Sequence, residues 1–342
     1  MYRFQNDYSE TAHPKVLEAI METVGQRHNG YGLDSYCQKA AELIKQRIRC
    51  EEAEVHFFNG GTITNLTVIS HILHPYQAVI APETGHVATH ETGAIEATGH
   101  KVIPVVTETG KLTPALLEPI MLQHSDEHWV QPKMVYITQS TELGTVYTRE
   151  ELSDIYRFCQ KHRLYLYLDG ARLASGLMSP QTDMTIEDVA ALTDVFYIGG
   201  TKIGALSAEA VVMTNDELTE NFRFSVKQKG GLQAKGWLLG AQFCALFENN
   251  LYFSLGRHAN EMAERLVALF KAKECEFLAP PESNQLFVIF PDAIAKQLQA
   301  QFALMFVCAP KAGYTCLRLC TSWSTTDDDI NDFAERFEKM YC

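Results

Sequence analysis

Short apolar runs alternating with amphipathic stretches fill the first two thirds of the chain, and nothing else in the sequence narrows its folds as much. Runs at 55–58, 78–81, 102–106, 134–138 and 164–168 read as strands, with helical stretches between them. The best-marked helix start is Thr148-Arg-Glu-Glu151, a capping box in which the hydroxyl and the carboxylate satisfy each other's backbone N–H groups. Strand, helix, strand, helix in this order predicts a mostly parallel sheet of the seven-stranded type, covered by helices on both faces.

Further strands are expected at 195–198 and 210–213. Two helices are expected before the first strand, one entered through His13-Pro14 and one over 35–49 with Ser35 as its cap. From about Ala234 a helical region continues with interruptions to Phe270, and then the order changes. A strand at 285–290, a helix at 293–301, a strand at 315–320 and a helix at 326–340 predict a smaller α/β domain. The chain's 342 residues exceed the usual single core, so we expect a large domain over 1–249 with an N-terminal arm, and a small C-terminal domain over 250–342.

Charge and cysteine content exclude several classes. A formal net charge of −13 disfavours a nucleic-acid backbone or an anionic membrane surface as partner. The nine cysteines include no Cys-x-x-Cys pair, which predicts reduced thiols in a cytoplasmic protein and no metal site. Cys316 and Cys320 fall in an apolar run and read as buried strand residues. The opening MYRFQNDYSE has no apolar signal core, and no run is long enough to span a bilayer.

Four segments carry chemistry. Asn59-Gly60-Gly61-Thr62 follows the first strand and precedes a helix, so small residues, unpaired N–H groups and the Thr62 hydroxyl can cradle a phosphate. His86 follows the second strand, where an imidazole can lie on an aromatic ring and move protons. Asp169-Gly170-Ala171-Arg172 leaves the carboxyl end of the strand at 164–168, where open sheets bind their ligands. A carboxylate there calls for a cationic partner, either Arg172 or a pyridinium nitrogen. Lys202 sits in Gly199-Gly200-Thr201-Lys202 between two apolar strands, where desolvation favours a neutral, nucleophilic amine. Gly-x-x-x-x-Gly-Lys-Ser/Thr is absent, which removes a nucleotide-binding P-loop. Phosphate loop, ring stacker, aspartate and lysine together match the four features of pyridoxal 5'-phosphate that an enzyme must hold.

These segments resemble the L-threonine aldolase family, in the β-eliminating-lyase group of fold-type I pyridoxal-phosphate enzymes. The resemblance rests on Asn6-Asp7-Tyr8, Tyr31-Gly32, Gly60-Gly61-Thr62 with Asn65, Gly85-His86, Glu91-Thr-Gly-Ala94, Asp169-Gly-Ala-Arg172, Thr201-Lys202 and Leu317-Arg318-Leu319. It implies an aspartate-aminotransferase-like α/β fold working as a homodimer or homotetramer, with active sites at the subunit interface. Lys202 would carry the cofactor as a Schiff base, Asp169 would hold its ring nitrogen and His86 would stack on the ring. Gly60, Gly61 and Thr62 would take the phosphate, approached by Lys227 of a neighbouring subunit. Arg172 and Arg318, with Asn6, would bind the carboxylate of a small amino-acid substrate. The chain departs from the family's pattern where Asn6 and Thr201 replace serines, and where Lys229-Gly-Gly-Leu-Gln233 lacks an arginine.

The reaction this implies is cleavage of a β-hydroxy-α-amino acid of the threonine or allo-threonine type to glycine and an aldehyde, with His86 as the first base to test. β-Elimination, transamination and racemisation use the same scaffold and are the alternatives. A non-catalytic ligand-binding protein on this fold is disfavoured by the joint presence of Lys202, Asp169 and Arg318.

Overall fold

The computed structural model describes residues 4–341. Its large sheet is built from β1 (Glu54–Phe58), β2 (Gln77–Pro82), β3 (Lys101–Val105), β4 (Gln131–Thr138), β5 (Tyr165–Asp169), β6 (Val195–Gly199) and β7 (Glu209–Met213). The order across the sheet is β1-β7-β6-β5-β4-β2-β3. Neighbours from β6 through β3 are parallel, while β7 runs antiparallel to both β6 and β1. This is the mixed, mostly parallel sheet that the sequence periodicity predicts.

Before and between these strands come α1 (Pro14–Glu22), α2 (Ser35–Ile48), α3 (Gly61–Ile72), α4 (His86–Thr89), α5 (Pro114–Gln123), α6 (Arg149–His162), α7 (Leu173–Leu177) and α8 (Ile186–Ala191). After β7 follow α9 (Phe222–Gln228), α10 (Trp237–Phe247) and α11 (Leu251–Ala272). The capping box opens α6 as expected, with Thr148 and Glu151 each accepting from the other's backbone N–H. For α2 the cap is Asp34 rather than Ser35: the Asp34 carboxylate accepts from Cys37 N–H at 2.9 Å, one residue earlier than expected.

Side chains alternate across the strands and fill two layers. Val135, Ile137, Leu166, Leu168, Phe196 and Ile198 pack with α2, α6 and α10 on one face. Met134, Tyr136, Tyr167 and Tyr197 pack with α3 and α9 on the other. Three buried tyrosines therefore share the α3 face, where each phenol needs a polar partner near the sheet's functional edge.

A second sheet, wholly antiparallel, has the order β10-β11-β9-β8. Its strands are β8 (Glu276–Phe277), β9 (Gln285–Pro291), β10 (Met305–Lys311) and β11 (Tyr314–Cys320). Helices α12 (Asp292–Gln301) and α13 (Asp327–Met340) cover it with α11, around Phe270, Leu298, Phe333 and Phe337. Cys316 and Cys320 are buried on β11, and both are free thiols. The N-terminal arm reaches this sheet: Phe4 meets Phe333 edge-on at 5.2 Å, and its carbonyl accepts from Cys320 N–H.

Candidate active site

The carboxyl ends of β5 and β6 bring the aspartate and lysine segments into direct contact. Gly199 N–H donates to Gly170 O at 2.9 Å. A methyl group on Gly170 would stand 2.0 Å from Tyr197 O, and one on Gly199 would stand 2.5 Å from Ala171 O. Only glycine permits that approach, which explains why both turns are built on it.

Asp169 ends β5, 2% exposed. One carboxylate oxygen accepts from Tyr136 Oη at 2.6 Å and Asn65 Nδ2 at 3.0 Å, and the other accepts from Ala171 N–H at 2.9 Å. Asn65, on α3, also donates to Glu91 at 2.7 Å, while its carbonyl accepts from Tyr167 Oη. Glu91 in turn meets His86 Nδ1 at 2.7 Å. One hydrogen-bonded chain thus runs from the β5 carboxylate through Asn65 and Glu91 to the half-buried imidazole.

Electrostatics follow from that chain. Burial alone would lower the His86 pKa, but the hydrogen bond to Glu91 and the charges of Asp169 and Glu142 raise it above the ordinary value. Burial raises Glu91, against the hydrogen bonds from His86 and Asn65. His90 stacks on His86 at 5.6 Å between ring centres, and its own pKa is lowered, by burial first.

The arginines are disposed differently from one another. Arg172 is buried, and its Nε and Nη2 grip Asp7 at 2.7 and 3.0 Å, while Nη1 faces Glu142 at 3.8 Å. Two of the three guanidinium nitrogens of Arg172 are therefore taken by the N-terminal arm. Arg318, half-buried on β11, donates from Nη2 to Gln5 O at 3.2 Å, and its buried Nε has no protein acceptor. Asn6 spends its carbonyl oxygen on Tyr8 N–H and the Ser9 hydroxyl, each at 2.9 Å. Asp7, Arg172 and Lys202 line one crevice.

Gly60 precedes α3 without any side-chain cap, so the first N–H groups of that helix, at Gly61 and Thr62, are not closed by their own sequence. The Lys227 ammonium lies 4.6 Å above the Tyr31 ring. Tyr136, Glu142 and Glu209 were not singled out from the sequence. Tyr136 carried a signal, since a tyrosine in a buried strand needs a hydroxyl partner.

Pyridoxal phosphate fits what these residues offer. The uncapped helix start suits its phosphate, the thrice-bonded Asp169 suits a cationic ring nitrogen, and the orphaned Nε of Arg318 suits a substrate carboxylate. Fold and site together define an enzyme of the aspartate-aminotransferase-like class, the fold-type I architecture of pyridoxal-phosphate enzymes. A solved aspartate aminotransferase from Thermus thermophilus superposes with a TM-score of 0.73 at 17% identity, covering 99% of this chain and 92% of that one.

Within that class, the chain belongs to the beta-eliminating lyase family, whose model matches residues 8–293. It is 30% identical to a low specificity L-threonine aldolase of Pseudomonas aeruginosa, covering 97% of this chain and 96% of that relative. A second such aldolase, from a Pseudomonas species, is 32% identical and covers 92% and 91% of the two chains. The solved threonine aldolase of Leishmania major is 47% identical over the full length of both chains, with a TM-score of 0.98.

Proposed function

We propose that this lyase cleaves a β-hydroxy-α-amino acid of the threonine or allo-threonine type to glycine and an aldehyde, using pyridoxal 5'-phosphate. The observation that carries the reading is the contact of the two turns through Gly170 and Gly199, which sets Asp169 and Lys202 at one edge of the sheet. Full-length similarity to proteins named as threonine aldolases supports this reaction over elimination, transamination or racemisation.

When bound, the cofactor supplies an electron sink for the bond broken at Cα. Lys202 offers the amine that would hold it, and Gly60, Gly61 and Thr62 would take its phosphate. Asp169, fixed by Tyr136, Asn65 and Ala171 N–H, would keep the ring nitrogen protonated. His86 would lie on the ring and take the β-hydroxyl proton through Nε2, because Nδ1 is committed to Glu91. Arg318 would bind the substrate carboxylate, joined by the Asn6 amide and by whatever edge of Arg172 Asp7 leaves open.

The reading extends to a cytoplasmic homodimer or homotetramer with sites at the subunit interface, and to a division of the chain near residues 249 and 250. Free thiols support the compartment. Among the described residues no helix is long and apolar enough to cross a membrane. Around Lys227 and Tyr31, Leu33 and Phe224 are 57% and 77% exposed, a surface suited to a second subunit that would receive Lys227 at its phosphate.

The test is an absorption spectrum of purified protein with pyridoxal phosphate, before and after L-threonine or L-allo-threonine, with acetaldehyde assayed in the same cuvette. A visible cofactor band with aldehyde release is expected. A protein that cannot be reconstituted with the cofactor would remove the reading; a band with pyruvate release instead of aldehyde would move it to β-elimination.

A further inference from the structure

Glu209 opens β7 at a position that neither the fold nor the proposed chemistry requires to be acidic. In register it lies between Phe58, the last residue before the glycine cradle, and Gly199, the first of the lysine turn. The residue is 5% exposed. Gly200 N–H donates to Glu209 Oε2 at 3.0 Å. Ala208 N–H donates to Thr201 Oγ1 at 3.2 Å, and Gly200 N–H also reaches Ala208 O. The two residues that immediately precede Lys202 are therefore fastened to one buried carboxyl and its neighbour.

We propose that Glu209 is a positioning residue for Lys202, holding the Gly200-Thr201 turn and setting, through its negative charge, how tightly the lysine nitrogen keeps its proton. The proposal rests on the reading of Lys202 as the cofactor's lysine. The groups facing Glu209 are Lys202 on the turn, Asp169 and Tyr167 on β5, Tyr197 on β6 and Tyr252 on α11. Of these Lys202 is the cation. Burial pushes the Glu209 carboxyl up to about 7, against the Thr201 hydroxyl, the hydrogen bond from Gly200 and the charge of Lys202. Removing that carboxylate charge takes away a favourable neighbour for a proton on the lysine nitrogen.

The test uses the holoenzyme and Glu209→Gln, which keeps the shape and an acceptor for Gly200 N–H but removes the charge. Bound pyridoxal phosphate should remain visible, and the pH midpoint of its visible absorbance should fall by about half a unit or more. Glu209→Asp, with its charge drawn back from the turn, should shift the midpoint the same way by less, and it carries the test if the Gln variant does not fold. The cofactor-free protein gives a second readout. A carboxyl whose folded pKa is raised binds a proton that the unfolded chain has lost, so its contribution to stability falls as pH rises from about 4.5 to about 7. Glu209→Gln should flatten melting temperature against pH across that window.

A midpoint unmoved in the folded variants would overturn the proposal. Failure of the underlying reading looks different: a visible band that survives Lys202→Ala means the lysine was misassigned, whatever Glu209 does.

Discussion

Asp7 and Arg172, 165 residues apart, form a buried ion pair in which two guanidinium nitrogens meet two carboxylate oxygens at 2.7 and 3.0 Å. Asn284 Nδ2, from the residue just before β9, also donates to Asp7 at 3.1 Å. The N-terminal arm thus ties the end of β5 to β9. Arg172 acts first as the anchor of that junction, and it offers a ligand only what Asp7 and Glu142 leave.

Replacing Asp7 by Ala strands a buried cation and should cost about 3–5 kcal/mol in chemical denaturation. Burial alone would raise the Asp7 pKa, but Arg172 and the charge of Lys202 hold it well below the carboxylate range. A depressed folded pKa gives stability that is present above the unfolded value and lost as pH falls toward the folded one. The wild-type protein should therefore lose stability below about pH 4 more steeply than Asp7→Asn. Equal acid slopes would mean that the pair contributes no linked proton.

Asp169→Asn should keep the cofactor bound while lowering kcat/KM by about 10²–10³-fold, the scale of losing one preorganised electrostatic contact in a dry site. Tyr136→Phe removes the 2.6 Å hydrogen bond and leaves the carboxylate in place, so about a tenfold loss is expected. Steady-state kinetics on reconstituted protein decide it. A Tyr136→Phe defect as large as that of Asp169→Asn would place the phenol itself in the chemistry.

Most strands and the ends that carry Asp169 and Lys202 were legible because apolar runs punctuated by glycine leave their mark in the sequence. β8 escaped because it is two residues long, and β10 because its apolar run, 303–309, ends at Pro310 and lies on an exposed edge, where a strand reading is least secure. Asp7, Asn65 and Glu91 fell within the segments the sequence offered, but two other supporting residues escaped for another reason. Glu209 matters because register puts it between Phe58 and Gly199, and Tyr136 because it pairs with Tyr167 beside Asp169. Register of this kind has no local signature; a tyrosine in a buried strand announces only that its hydroxyl needs a partner, not which one.

Arg318→Ala should raise KM for the amino acid far more than it lowers kcat, at about 2–5 kcal/mol for a buried charge-assisted contact. The unpartnered Nε is the reason to expect it. Initial rates over a wide threonine range separate the two constants, and an unchanged KM would put the substrate carboxylate elsewhere.

The pH profile tests the Glu91–His86 pair. If His86 accepts the β-hydroxyl proton, kcat/KM must rise with pH as the imidazole loses its own. The hydrogen bond to Glu91 and the nearby acidic charges raise the His86 pKa against burial, so the wild-type acid limb should lie above about 6.5, the unperturbed value. Glu91→Gln keeps an acceptor for Nδ1–H and for Asn65 Nδ2 but removes a charge that favoured the imidazolium. Its acid limb should therefore move to lower pH, with a plateau rate reduced only through loss of orientation. A limb that stays put while the plateau collapses would make Glu91 a structural tie. Disappearance of the limb in His86→Asn, together with the shift in Glu91→Gln, would assign the titration to the imidazole rather than to the substrate amine.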